Sequence, residues 1–182
     1  MRDLLRPVLQ DIPETGAVSF NTVNVELGLP SGGPISINGN KFRRLANSSQ
    51  VAGDIISLNQ VRGHAALLGV CGGASPTTIF IGYGAAFAGG TVQRPTLDGK
   101  SIVQVTFNNS GQAPTSDQFT LYLAGLNQTI PYTTCRVIGN LGERVYTIPA
   151  PANSATDTFW QMTDPGTRIC TFGTNYEVYF YR

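Results

Sequence analysis

Six consecutive residues in the second half of the chain, Gln118-Phe119-Thr120-Leu121-Tyr122-Leu123, alternate apolar with other residues without a break. That period of two constrains the fold more than any other feature. Successive side chains of a strand point to opposite faces, so Phe119, Leu121 and Leu123 share one side and are placed to enter a core. The same pattern recurs from Thr77 onward, giving candidate strands at Thr78–Tyr83, Ser101–Phe107, Gln118–Leu123, Thr133–Ile138, Val145–Ile148, Thr158–Met162, Arg168–Phe172 and Glu177–Tyr181. Asp98-Gly99 supplies a tight turn from residues that tolerate positive φ. Tyr176-Glu177-Val178-Tyr179-Phe180-Tyr181 makes an aromatic closing strand. Short strands at this spacing predict an antiparallel β-sandwich, with a closed barrel as the alternative.

Composition agrees with a strand-rich surface. Charged residues make up 13 % of the chain, against roughly 25 % in average globular proteins. Glycine at 21 and proline at 11 punctuate short strands. The net charge is +1 and lysine occurs only at Lys41 and Lys100, so no basic run offers a track for phosphates, and nucleic acid is not an expected partner. No apolar stretch reaches the roughly 18 residues that a membrane helix needs. The opening Met1–Pro7 is too short and too charged to read as a secretory signal. Cys71, Cys135 and Cys170 form no CxxC pair, and they read as unpaired small hydrophobes without metal.

The first seventy residues repeat themselves. Gly16-Ala17-Val18-Ser19-Phe20-Asn21 is echoed by Gly33-Pro34-Ile35-Ser36-Ile37-Asn38 and, with one residue inserted, by Gly53-Asp54-Ile55-Ile56-Ser57-Leu58-Asn59. Each copy reads as a short extended stretch entering a helical turn, with Asn21, Asn38 and Asn59 as N-caps. Val23 and Leu27 then lie four apart, with Gly28 placed to close the helix. Phe42, Leu45 and Ala46 share a face, as do Val61, Ala65 and Leu68. Such helices are too short to stand alone.

The pieces Gly33–Asn38 and Ile55-Ile56-Ser57-Leu58-Asn59-Gln60-Val61-Arg62-Gly63 resemble a motif of bacteriophage tail and tail-fibre proteins. There a "G-x-I-S-L-[SN]" strand enters a short helix ending near a glycine, often in tandem. Glu26-Leu27-Gly28 is similar to the end of the first such unit. Downstream, Pro95-Thr96-Leu97-Asp98-Gly99-Lys100-Ser101-Ile102-Val103 and Phe119-Thr120-Leu121-Tyr122-Leu123-Ala124-Gly125 resemble the β-domain that follows the repeats in some of these proteins, and Trp160 falls where its later aromatic strand carries a Trp. The segment from Asp164 to Arg182 matches nothing in that pattern. The resemblance implies a non-enzymatic virion structural protein of the tail, a fibre, fibre adaptor or baseplate component, made in the host cytoplasm. It would assemble with other tail proteins and form homo-oligomers, with a trimer among the candidate symmetries.

The organisation expected is an arm over 1–10, a strand–helix repeat docking module over 11–73 and a β-sandwich over 74–182. Seventy residues bury too little surface to be stable alone, so neighbouring subunits are expected to cover Leu4, Leu5, Val8, Phe20, Leu27, Phe42, Leu45 and Leu68. The alternative is that both halves pack as one body. A second functional reading is a carbohydrate-binding or receptor-binding module, or an adhesin, recognising a host surface glycan. Aromatic planes stack on sugars, and Tyr83, Tyr132 and Trp160 are the candidates for such a face.

Little in the sequence points to catalysis. Gly69-Val70-Cys71-Gly72-Gly73 has the spacing of a nucleophile elbow but follows an expected helix, with His64 the only base at hand. Gly99-Lys100-Ser101 mimics the end of a phosphate loop, but Arg94 stands where the first glycine belongs. No catalytic residue, cofactor or metal site is expected.

Overall fold

The computed structural model describes residues 12–36, 39–46, 57–71, 73–74, 80–85, 90–108, 117–164, 169–170 and 174–182, and it is mainly β. Among the described residues helix is confined to α1 (Phe20–Glu26), α2 (Asn40–Leu45) and a 3-10 turn at Leu58–Val61. The strands are β1 (Ala65–Cys71), β2 (Gly73–Ala74), β3 (Phe80–Tyr83), β4 (Thr96–Leu97), β5 (Lys100–Asn108), β6 (Asp117–Ala124), β7 (Thr134–Ile138), β8 (Glu143–Thr147), β9 (Ala152–Asn153), β10 (Asp157–Asp164) and β11 (Asn175–Tyr181).

These strands make two antiparallel sheets. Sheet A runs β1-β11-β7-β8, and sheet B runs β2-β3-β5-β6-β10-β9 with β4 folded onto β5. The turn between β4 and β5 has φ of 49° at Asp98 and 72° at Gly99, the double positive φ that such a two-residue hairpin requires. Phe119, Leu121 and Leu123 of β6 are fully buried, as their alternation demands. They belong to one apolar cluster with Phe107 and Trp160 of sheet B and with Val137, Val178 and Phe180 of sheet A. The Cys135 thiol meets the Met162 sulfur at 3.4 Å across the same cluster.

A second cluster lies on the other side of sheet A. Ala66, Tyr179 and Tyr181 point away from the first core and pack on Val23, Leu27, Phe42, Leu45 and Val61. The order of layers is therefore helices, sheet A, sheet B. Strand β11 is apolar on both faces because both faces are covered, and Val178-Tyr179-Phe180-Tyr181 is buried at every residue.

The N-terminal segment departs from the expected strand–helix repeats. No strand forms among its described residues before Ala65. The N-caps fall on the motif's serine instead of its asparagine. Ser19 Oγ accepts from the Thr22 amide at 3.1 Å, and Ser57 forms a capping box with Gln60. Asn21 sits inside α1 and accepts from the Gly32 amide and the Ser31 hydroxyl, both at 2.8 Å, tying the following turn to the helix. Asn59 lies within the 3-10 turn, Asn38 lies outside the described residues, and Gly39 occupies the N-cap of α2. Gly28 does close α1, with φ of 63°.

The expected third helix is overturned. Ala65 and Leu68 lie in strand β1, where Ala65 pairs with Phe180 of the last strand. Gly63, at φ 66°, turns the chain out of the 3-10 geometry, and its amide donates to Ile12 O at 3.1 Å. The expected strand Arg168–Phe172 lies mostly outside the described residues, and Ile169 and Cys170 within it are buried without strand pairing.

Candidate binding site

Of the residues expected to meet neighbouring subunits, Leu27, Phe42 and Leu45 are buried in the chain's own second core, each at 1 % exposure or less. Sheet A supplies the cover that other subunits were expected to provide. Phe20 remains at the surface, 44 % exposed. Leu68 lies in β1, and Leu4, Leu5 and Val8 lie outside the described residues, as does the whole 1–10 arm. Of the expected sugar-facing aromatics, Tyr132 and Trp160 are core residues and Tyr83 packs half-buried against the same core. The reason is register. Trp160 pairs with Leu121 and shares its inward face, and the Tyr132 ring lies 5.4 Å from that of Phe180.

The helical layer is fixed to the sheets by a buried ion pair that the sequence did not reveal. Glu26, at the end of α1, takes the Arg94 guanidinium at 2.7 Å on one oxygen and the Ala66 amide at 2.5 Å on the other. Both side chains are at most 2 % exposed. One carboxylate thus joins α1, strand β1 and the segment leading into β4. Beside this layer Tyr181 Oη donates to Arg44 O at 2.6 Å, and Arg44 pairs with Glu177 at 2.8 Å. Burial, partly offset by the nearby Arg136, pushes the Tyr181 hydroxyl up to about 12.

A cleft of about 490 Å³ opens where the helices end against sheet A. Lys41, Arg44, Gln93, Asn140, Asn175 and Glu177 give it a polar lining. The Glu177 carboxylate is held there by Arg44 and by the Tyr179 hydroxyl at 2.8 Å, so its charge is spent within the fold.

The outer face of sheet B has a different character. Register aligns Gln104, Tyr122 and Phe159 in one row, and Thr106, Thr120 and Gln161 in the next. The rings of Tyr122 and Phe159 stack with centroids 5.1 Å apart and planes 25° apart, and both remain partly exposed. A bulge between Ile102 and Gln104 sets Val103 into β5 as an extra residue. Ile102 and Val105 enter the core, so Val103, 38 % exposed, and Gln104 are both left to the outer side. Bulges re-aim side chains in this way beside functional surfaces. The signal for this face was present in the sequence: once Phe119, Leu121 and Leu123 point inward, Tyr122 must point outward.

A strand, not a helix, precedes Cys71, and strand β2 follows at Gly73. The His64 ring donates Nδ1–H to Leu45 O at 2.7 Å and meets Tyr181 edge-on, with ring centroids 5.2 Å apart. Lys100 Nζ holds the Asp98 carboxylate of its own turn at 2.6 Å. Cys135 and Cys170 are buried and form no disulfide among the described residues, and burial pushes the Cys135 thiol far up. Among the described residues no three His, Cys, Asp or Glu side chains gather as metal ligands, and no helix is long and apolar enough to cross a membrane. No protein-family model, no curated protein and no solved structure matches the chain.

Proposed function

We propose that the chain is a non-enzymatic structural subunit of a bacteriophage tail, a fibre, fibre adaptor or baseplate component that assembles with other tail proteins. Its support in the sequence is the order of parts, tandem G-x-I-S-L-N-like units followed by the "D-G" turn and the "F-T-L-x-L-x-G" strand. The observation that carries the reading is the contrast between the outer surfaces of the two sheets. The helices close that of sheet A, while sheet B keeps Gln104, Tyr122, Phe159 and Gln161 at least partly exposed, with Thr106 and Thr120 buried beside them. Such a body is suited to being displayed and touched. Its two sheets, facing one another through a single apolar cluster, read as a sandwich in preference to a closed barrel. Mass spectrometry of purified parent particles tests the assignment. The chain is expected in the tail at a fixed ratio to other tail subunits, and a chain confined to the host lysate would overturn it.

A second reading, a module that recognises a host surface glycan, is favoured by the partly exposed Tyr122–Phe159 pair.

A further inference from the structure

We infer that the outer face of sheet B is a binding platform for an uncharged glycan, centred on Tyr122 and Phe159 with Gln104 and Gln161 beside them. This rests on the second reading above and gives it a place and a ligand class. Tyr122 and Phe159 are cross-strand neighbours on β6 and β10, and their stacked rings form one apolar step on an otherwise polar face. Sugar C–H groups carry slight positive charge and are drawn to the negative face of an aromatic ring. Hydroxyls at the edge of the same sugar need donors and acceptors together. An amide side chain offers both, and Gln104 and Gln161 stand in the same row as the rings and in the adjoining one.

Charge decides among ligands. The two rows Gln104–Tyr122–Phe159 and Thr106–Thr120–Gln161 contain no ionisable group that is charged at neutral pH. Among the described residues, charge on β5, β6 and β10 is confined to their ends: Lys100, paired with Asp98, starts β5, Asp117 starts β6, and Asp157 and Asp164 bound β10. Nucleic acid, acidic polysaccharide and anionic lipid all require cations that these rows do not contain. Another protein would look for an apolar centre, and Val103 is the only large hydrophobic on β5, β6 or β10 that counts as exposed among the described residues. An uncharged polyhydroxyl ligand matches what remains. The β5 bulge adds an independent sign, because it brings two successive side chains to the row that holds the ring pair.

The test uses the full chain, isotope-labelled, titrated by NMR with maltohexaose, cellohexaose and chitohexaose at millimolar concentration. An oligogalacturonate of similar length serves as the acidic comparison. At least one neutral sugar is expected to shift resonances on the outer positions of β5, β6 and β10. Tyr122→Ala and Phe159→Ala should each weaken that binding about tenfold or more. Gln161→Ala, at an exposed position, should weaken it without moving the melting temperature, which keeps the test open if a ring variant unfolds. Silence from all three neutral sugars overturns the inference. So does binding that maps to the cleft around Lys41, or equal binding of the acidic oligomer. A chain present in purified tails but silent to the sugars would sink this inference and leave the assembly reading standing. A chain that binds sugar but is absent from tails would do the reverse.

Discussion

Sheet A and sheet B use their outer faces in opposite ways. Sheet A is covered twice: sheet B lies on one side, and α1, α2 and the 3-10 turn lie on the other. Strand β11 records this as an unbroken apolar run, Val178-Tyr179-Phe180-Tyr181, buried throughout. Sheet B has one inward face, and its outward residues alternate with it as Thr120 and Tyr122 alternate with Phe119, Leu121 and Leu123. The difference shows where stability and recognition sit. Polar groups on the covered side of sheet A must find partners inside the protein, whereas on the outer side of sheet B Gln104, Tyr122, Phe159 and Gln161 stay partly or fully exposed beside a buried Thr106 and Thr120.

The largest test of this contrast is the ion pair beneath the helices. Glu26 and Arg94 are both buried, and each neutralises the other. Removing one partner strands a charge in the interior, a loss of about 3–5 kcal/mol. Arg94→Met and Glu26→Gln are therefore each expected to lower unfolding free energy by about that amount in denaturant titration. The double variant Glu26→Gln with Arg94→Met should recover part of the loss, because no charge is then left alone. Single variants within about 1 kcal/mol of the parent would show that the helical layer is held by its apolar contacts alone.

How much of this was legible depends on whether the deciding contact was local. The hairpin at Asp98-Gly99 and the inward set Phe119, Leu121 and Leu123 follow from neighbouring residues, and the structure keeps both. Strand β1 is not legible because Val61, Ala65 and Leu68 fit a helix face equally well. What makes it a strand is pairing with β11, more than a hundred residues away: Ala65 with Phe180, Ala66 with Tyr179. Composition offers Tyr132 and Trp160 as ligand-facing aromatics because it does not tell an inward ring from an outward one. Register does, since Trp160 lies opposite inward Leu121 and Phe159 opposite outward Tyr122. The helical layer had left one sign, the failure of β11 to alternate, and that sign reads equally well as an aromatic closing strand.

The next effect is one of pH, again at the junction of helices and sheet A. His64 is partly buried, gives Nδ1–H to Leu45 O, and lies near Tyr181 and the Arg182 guanidinium. Burial holds its pKa below the ordinary 6.5, the Leu45 hydrogen bond offsets part of that, and Arg182 lowers it further. The unfolded chain therefore takes up a proton near 6.5 while the folded chain resists it. In that window the unfolded state binds more protons, so stability is full above it and declines as pH falls below it. His64→Gln should flatten this part of the curve while the acid limb due to carboxylates remains. An unchanged slope between pH 7 and 5 in the variant would remove His64 from the account.

The smallest expected effect lies on the open face of sheet B, at Gln161. Its side chain is exposed, and its neighbour across the ladder, Thr120, is uncharged. A lysine can lay its methylene stem along the sheet there and keep its ammonium in water. Gln161→Lys should therefore change unfolding free energy by no more than about 0.5 kcal/mol. Ala66 is the matching position on the covered side of sheet A, outward on β1 yet packed under the helices at 1 % exposure. Lysine at Ala66 would have to carry its charge into an apolar layer or push the helices away, and it belongs with the ion-pair variants in severity. The two substitutions place the same side chain on the outer faces of the two sheets, so their difference in stability measures the contrast between those faces directly. If Gln161→Lys destabilised as strongly as Ala66→Lys, Gln161 would be packed as Thr106 and Thr120 beside it are, and it would no longer belong to the exposed patch from which recognition is argued.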